Sequence, residues 1–220
     1  MYFLWLAAAY LLGSISSAVW VARTIHGINI REHGSGNAGA TNILRVLGPR
    51  AALPVFIFDF LKGLAAVQFI RFTHLHFLHL ADNLDPYMAN LYTGYEIALG
   101  ICAVLGHIFP IFASFRGGKG VATIAGVLVA ISPAPMLLSL TVFLITLLIT
   151  RYVSLGSIMA AISFPIFVIF LFGMILKPEI TLTLKCFSLI ASTMIIITHR
   201  KNITRLRDGT ENKISLKKNN

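Results

Sequence analysis

The chain is 220 residues long, 57% hydrophobic and 12% charged, with a mean hydropathy of +0.82. Apolar runs consume most of that length, which excludes an ordinary soluble enzyme and leaves no stretch large enough for a separate soluble module, so one polytopic membrane domain over residues 1–220 is expected. The formal charge of +10 would suit nucleic acid, but the cations sit in short loops beside apolar runs, where topology and anionic lipid account for them, and no nucleic-acid partner is expected.

Taken in chain order, the runs fall at about 2–22, 51–70, 91–112, 121–150, 152–176 and 182–198. The first has no basic leader and continues into Arg23 and Arg31, which reads as a retained span rather than a cleaved signal. The fourth is too long, because roughly 20 residues cross the hydrocarbon. Ser132-Pro133-Ala134-Pro135 divides it, since proline removes a backbone donor and disfavours helix in the residue before it. The prediction is therefore an all-α membrane protein of seven spans, the first half of the divided run being unusually short.

Charge fixes the orientation. With the amino terminus outside, the inward loops hold Arg23, Arg31, Arg45, Arg50, Arg116, Lys119 and Arg151. The basic stretch 199–220 then lies in the cytoplasm, and outward segments keep only Arg71, Lys177 and Lys185. Six spans would put the basic tail outside, against the positive-inside rule. Cys102 and Cys186 lie inside apolar runs and imply neither a disulfide nor a metal knuckle. The outward His74, His76 and His79 lack a carboxylate or cysteine at matching spacing, so no metal is expected.

Three Gly-rich or polar stretches interrupt this pattern, all on the predicted cytoplasmic face, where they are expected to converge on one site. The first, Gly34-Ser35-Gly36-Asn37-Ala38-Gly39-Ala40-Thr41-Asn42-Ile43-Leu44-Arg45, combines glycines that admit an anion close to the backbone with the hydroxyls of Ser35 and Thr41, the amides of Asn37 and Asn42, and the planar guanidinium of Arg45. The second, Gly106-His107 through Gly117-Gly118-Lys119-Gly120-Val121-Ala122-Thr123, places a Gly-Gly-Lys-Gly turn at the amino end of an apolar helix, where free N–H groups, the helix dipole and an ammonium act on one anion. It lacks the spacing and preceding strand of a nucleotide loop. His107 itself reads equally as a packed histidine.

The third stretch follows the last run. On a continuing helix His199, Asn202 and Arg205 share a face, offering a base, an amide and a cation, with Gly209 and Glu211 beyond. Arg151 through Ser157 forms a further cytoplasmic turn from which Ser154 or Ser157 could reach the same pocket. Asp59 and Lys62, three apart within the second span, can pair on one helix face; ionisable groups at that depth are costly, and neither is given a place in the reaction.

Together the three stretches resemble those of the bacterial acyl-phosphate:glycerol-3-phosphate acyltransferase family (PlsY), in the same order and over essentially the whole chain; Asp59-Phe60-Leu61-Lys62-Gly63 and Arg151 through Ser157 resemble further segments of it. The resemblance implies a multi-pass enzyme of the bacterial inner membrane that moves a fatty acyl group from acyl phosphate to the 1-hydroxyl of sn-glycerol 3-phosphate, giving lysophosphatidic acid and phosphate as the first step of phospholipid synthesis. No metal, nucleotide or other cofactor is implied. Partners are the two substrates and membrane lipid, and a monomer would suffice.

By the same resemblance Gly117, Gly118, Lys119 and Gly120 are assigned to the glycerol phosphate. Ser35, Thr41, Asn42 and Arg45 are assigned mainly to the acyl phosphate and its carbonyl, and Gly36, Asn37, Ser154, Ser157 and Arg205 to substrate binding. His199 is the candidate base in a network with Asn202, the acyl phosphate's own oxygens being the other proton acceptor, and Glu211 braces the third stretch through a cation. Ser35, Arg45, Lys119, His199 and Asn202 form the expected catalytic set. The rival readings are a transporter of small organic phosphates, whose sites usually lie near mid-membrane, and a noncatalytic lipid-binding subunit.

Overall fold

In a computed structural model describing residues 2–79, 85–176 and 180–214, the chain folds into helices, with no strand among the described residues. Lys177, Lys217 and Lys218, used above to orient the chain, lie outside the described residues. Contacts divide the protein into two compact units, Met1–Ser132 and Pro133–Asn220, and the boundary falls at the proline pair that was expected to break the long fourth run.

In the first unit, α1 (Tyr2–Gly13) is apolar on every side and ends at Ser14–Ser16; the chain resumes as α2 (Ser17–Trp20) and a wide π turn, Val21–Ile25. The first run is thus broken rather than continuous, because the serines can turn back on local carbonyls: Ser14 Oγ donates to Tyr10 O at 2.8 Å. A short 3-10 turn, Ile30–Glu32, leads to the amphipathic α3 (Ala40–Leu47) and then to α4 (Pro49–Val67), which starts on a proline suited to a first helical turn. After α5 (His74–His79), α6 (Pro86–Ile108) starts earlier than its apolar run, since Asp85 caps it by accepting from Met88 N at 2.8 Å. The unit closes with α7 (Val121–Ile131).

The second unit consists of α8 (Pro133–Thr150), α9 (Val153–Ile166) with its π continuation Phe167–Leu176, α10 (Leu182–Thr198) and α11 (Arg200–Arg207). Arg151, at φ 62°, reverses the chain between α8 and α9.

Five helical stretches, Tyr2–Ile25, Pro49–Phe72, Pro86–Ala113, Pro133–Thr150 and Val153–Leu176, are long and apolar enough to cross a membrane. A sixth arises if Leu182–Thr198 and Arg200–Arg207, bent by 58°, count as one. The remaining expected span, Val121–Ile131, is an apolar helix of 11 residues. At 1.5 Å per residue it is only about 16 Å long, roughly half the hydrocarbon thickness.

That short helix is held by close approach to α4. A Cβ on Gly63 would fall on the backbone carbonyl of Thr123, and one on Gly126 on that of Phe60, so each helix offers its glycine to the other's main chain. Lipid supplies no hydrophobic drive between helices, and such close van der Waals contact replaces it. Gly126→Leu is expected to destabilise the protein by about 1–3 kcal/mol through overpacking. A lowered thermal midpoint in detergent would show it, and an unchanged midpoint would mean the helices are not in backbone contact.

Candidate active site

In the first unit, the first stretch is a loop built around Asn42. This side chain is 1% exposed: its Oδ1 accepts from Ser35 N at 2.8 Å, while Nδ2 donates to Ile30 O at 3.1 Å and His33 O at 3.0 Å. Asn42, assigned from the sequence to substrate, therefore spends its amide on the loop itself and shapes it from beneath. Helix α3 has two faces. Asn42 and Val46 look inward against Gly34, whereas Thr41 and Arg45, also four residues apart, are exposed, as are Ser35 and Gly36. Asn37 is half-buried.

The second stretch is joined to this loop by Arg31, whose Nη2 donates to Ala113 O at 2.7 Å and Arg116 O at 2.6 Å. Burial, together with repulsion from Arg116, lowers the pKa of Arg31, although a guanidinium remains a cation at neutral pH. The sequence pattern counted Arg31 only towards topology. Ser114 and Phe115 adopt left-handed backbone, φ 53° and 56°, and Phe115 N donates to Pro110 O at 2.9 Å, which closes a tight loop before the glycines.

Gly117 N then donates to Ile108 O at 3.0 Å and Gly118 N to His107 O at 3.2 Å, so the turn lies along the end of α6. Gly120, at φ 78°, caps α7 without a side chain in the way. The first-turn N–H groups of α7 have no partner within the helix, and with half-buried Lys119 they give this end a positive character.

In the second unit, the third stretch is not a continuing helix. His199 ends α10 and starts α11 at the bend, so it does not share a straight face with Asn202 and Arg205. It is 3% exposed, and its Nδ1 lies 2.8 Å from Ile195 O. A carbonyl only accepts, so the proton sits on Nδ1 and the basic lone pair on Nε2.

Asn202, Arg205 and Ser154 gather on Glu211: Asn202 Nδ2 donates to Oε1 at 2.9 Å, Ser154 Oγ to Oε1 at 3.1 Å, and Arg205 Nε to Oε2 at 2.6 Å. The brace expected at Glu211 is therefore larger than one cation, and it draws in three residues that the sequence assigned to substrate or catalysis. Ser157 donates to Val153 O at 2.9 Å within its own helix. Burial alone would raise the Glu211 carboxyl; the hydrogen bonds from Arg205 and Asn202, the Arg205 charge and the Ser154 hydroxyl outweigh it and hold the group below its ordinary value.

The family model for glycerol-3-phosphate acyltransferase matches residues 3–209. A glycerol-3-phosphate acyltransferase of Chlorobaculum parvum is 41% identical, covering 96% of this chain and 95% of that protein. One from Salinibacter ruber is also 41% identical, covering 96% and 91%. Among solved structures, the glycerol 3-phosphate form of PlsY (YgiH), an integral membrane glycerol 3-phosphate acyltransferase, superposes with a TM-score of 0.79 at 35% identity, over 97% of this chain and 96% of that one. The lysophosphatidic acid form of PlsY gives 0.76 at 35% identity, over 97% and 95%.

The Glu211 hub has a pH signature. Its folded carboxyl has a lowered pKa, so the stabilisation is present above the unfolded value and disappears as pH falls through the folded one. Glu211→Gln is expected to lose about 1–3 kcal/mol at pH 7, as befits hydrogen bonds to a charge. Its thermal midpoint should approach that of the parent as the medium is acidified below the usual carboxylate range; a gap independent of pH would show that ionised Glu211 is not the hub.

Proposed function

As the chain belongs to the glycerol-3-phosphate acyltransferase family, we propose that it transfers a fatty acyl group from acyl phosphate to the 1-hydroxyl of sn-glycerol 3-phosphate, releasing lysophosphatidic acid and inorganic phosphate. The observation that carries this reading is the Gly117–Gly120 turn, which opens α7 with left-handed Gly120 and sets Lys119 beside the first-turn N–H groups of the helix, an arrangement suited to a phosphate dianion. The structural similarity to the glycerol 3-phosphate form of PlsY agrees with it.

Both substrates are phosphorylated, so much of the protein's task is to neutralise and orient charge. Lys119 and the α7 amino end take the glycerol phosphate. Exposed Ser35, Thr41 and Arg45, with the Gly36–Asn37 backbone, take the acyl phosphate, and the Arg45 fork spans two oxygens. Acyl phosphate is an activated mixed anhydride. The 1-hydroxyl oxygen bonds to the acyl carbon, the bond from that carbon to the bridging phosphate oxygen breaks, and the hydroxyl proton passes to His199 Nε2 or to the departing phosphate. Donors held in place for the developing oxyanion lower the barrier without a covalent enzyme intermediate. Asn202, Arg205 and Ser154 serve indirectly, by fixing the segment that carries His199.

The same reading places the chain in the bacterial inner membrane with seven spans, the short α7 among them, the amino terminus outside and the third stretch in the cytoplasm. Arg116 and Arg151 in loops, Arg31 in a short turn and Arg23 near the end of its candidate span all fall at the predicted inward face, which supports it.

Purified protein in lipid is expected to form lysophosphatidic acid and phosphate from glycerol 3-phosphate with palmitoyl phosphate, but not with palmitoyl coenzyme A. Product from the coenzyme A donor would retain acyl transfer and overturn the choice of donor; product from neither, with folding verified, would favour transport. His199→Ala is expected to lower kcat by about 100-fold or more, the usual contribution of a positioned base. Near-normal turnover would leave the phosphate as the proton acceptor.

A further inference from the structure

A buried ionic cluster in the first unit has no part in the chemistry above. Asp59 and Lys62 lie one turn apart on α4, inside its candidate span, and each is 2% exposed. Asp59 Oδ1 receives Lys62 Nζ at 2.9 Å and Ser17 Oγ at 2.8 Å, and His107 Nδ1 lies 3.5 Å from the same oxygen. Lys62 Nζ also donates to Ile15 O at 2.9 Å, a carbonyl in the non-helical link between α1 and α2. One carboxylate thus ties together the break in the first span, α4 and the last turn of α6. A charge in hydrocarbon is costly, and apolar residues of similar volume often hold a core equally well, so stability alone is a poor reason for this cluster.

The far side of His107 supplies a better one. A Cβ on Gly118 would fall on His107 Nε2 and come within 2.9 Å of Ala38 O, so Gly118 packs against both the imidazole and the first loop. A Cβ on Gly117 would fall on the carbonyl of His107. The backbone of the Gly-Gly-Lys-Gly turn therefore packs against His107, whose Nδ1 faces Asp59 at 3.5 Å and has no nearer partner among the described residues. Rotation of that ring would displace Gly118 and, with it, neighbouring Lys119.

We propose that Asp59 and Lys62 are positioning residues for the phosphorylated acceptor, acting through His107 on the Gly117–Gly120 turn. Lys62 holds the Asp59 carboxylate in place, Asp59 sets the imidazole plane, and the imidazole sets the turn. This rests on reading the turn as the cradle for glycerol 3-phosphate.

The test is steady-state kinetics in lipid, varying each substrate separately, with thermal midpoints as the control for folding. The double variant Asp59→Asn/Lys62→Met removes both charges and leaves neither one buried alone. It is expected to raise KM for glycerol 3-phosphate five- to twentyfold while KM for acyl phosphate and kcat stay within twofold. His107→Phe keeps a ring beneath Gly118 and leaves the Asp59–Lys62 pair intact, yet breaks the link to Asp59; it should give the same pattern, and it decides the matter if the double variant does not fold.

Parent-like KM for glycerol 3-phosphate in either folded variant overturns the proposal. So does a fall in kcat with both KM values unchanged, which is what a loss of active fraction alone would give. Lys119→Met in the same assay separates the two levels. A raised acceptor KM there, with none in the cluster variants, refutes positioning alone, whereas an unchanged acceptor KM for Lys119→Met refutes the reading of the turn and the proposal with it.

Discussion

Backbone carbonyls left bare by a broken helix are intolerable away from water, and much of this protein's polar side-chain chemistry answers that constraint. The first span breaks at Ser14–Ser16, and Lys62 donates to Ile15 O. The first loop exposes the carbonyls of Ile30 and His33, and Asn42 takes both. The loop before the glycines exposes those of Ala113 and Arg116, and Arg31 takes both. In each case a side chain from outside the turn adds a donor, joining the backbone N–H groups that already reach Ile30 O, His33 O and Ala113 O, and so pins irregular backbone in place. A phosphate-binding loop needs that rigidity, since donors that must reorganise around an anion lose much of their value.

The division between what sequence revealed and what it concealed follows from this. Apolar runs are long and local, so the helices and the proline break before α8 were legible. The break in the first run was signalled only by Ser14, Ser16 and Ser17 within an otherwise apolar stretch, a weak cue because serine is tolerated in membrane helices by bonding to its own carbonyls. The three polar stretches were legible as breaks in the apolar pattern. Which donors face a ligand was not, because an asparagine that cradles a phosphate and one that cradles its own loop have the same composition. For Asn42 a cue did exist: it shares a helical face with Val46, opposite Thr41 and Arg45. For Ser154 none did, as its partner Glu211 is 57 residues away.

The two units also differ in how they treat charge. In the first, Lys62 is paired with Asp59 and Arg31 spends its guanidinium on carbonyls, while exposed Arg45 and half-buried Lys119 flank turns rich in N–H donors. In the second, Glu211 neutralises Arg205 and gathers amide and hydroxyl donors, leaving His199 anchored through Ile195 O. The glycine turns of the first unit thus owe their local polarity largely to backbone donors, and the third stretch to side chains balanced on one carboxylate.

The Glu211 hub carries a consequence in time. Asn202, Arg205 and Glu211 all follow the last of the apolar helices, whereas their partner Ser154 starts α9. A nascent chain would deliver every apolar helix to the membrane before it could close this cluster, so insertion and maturation of the third stretch become successive events. A chain halted after Asp208 would hold His199, Asn202 and Arg205 without Glu211, so the histidine segment would stay unbraced until that one carboxylate was made.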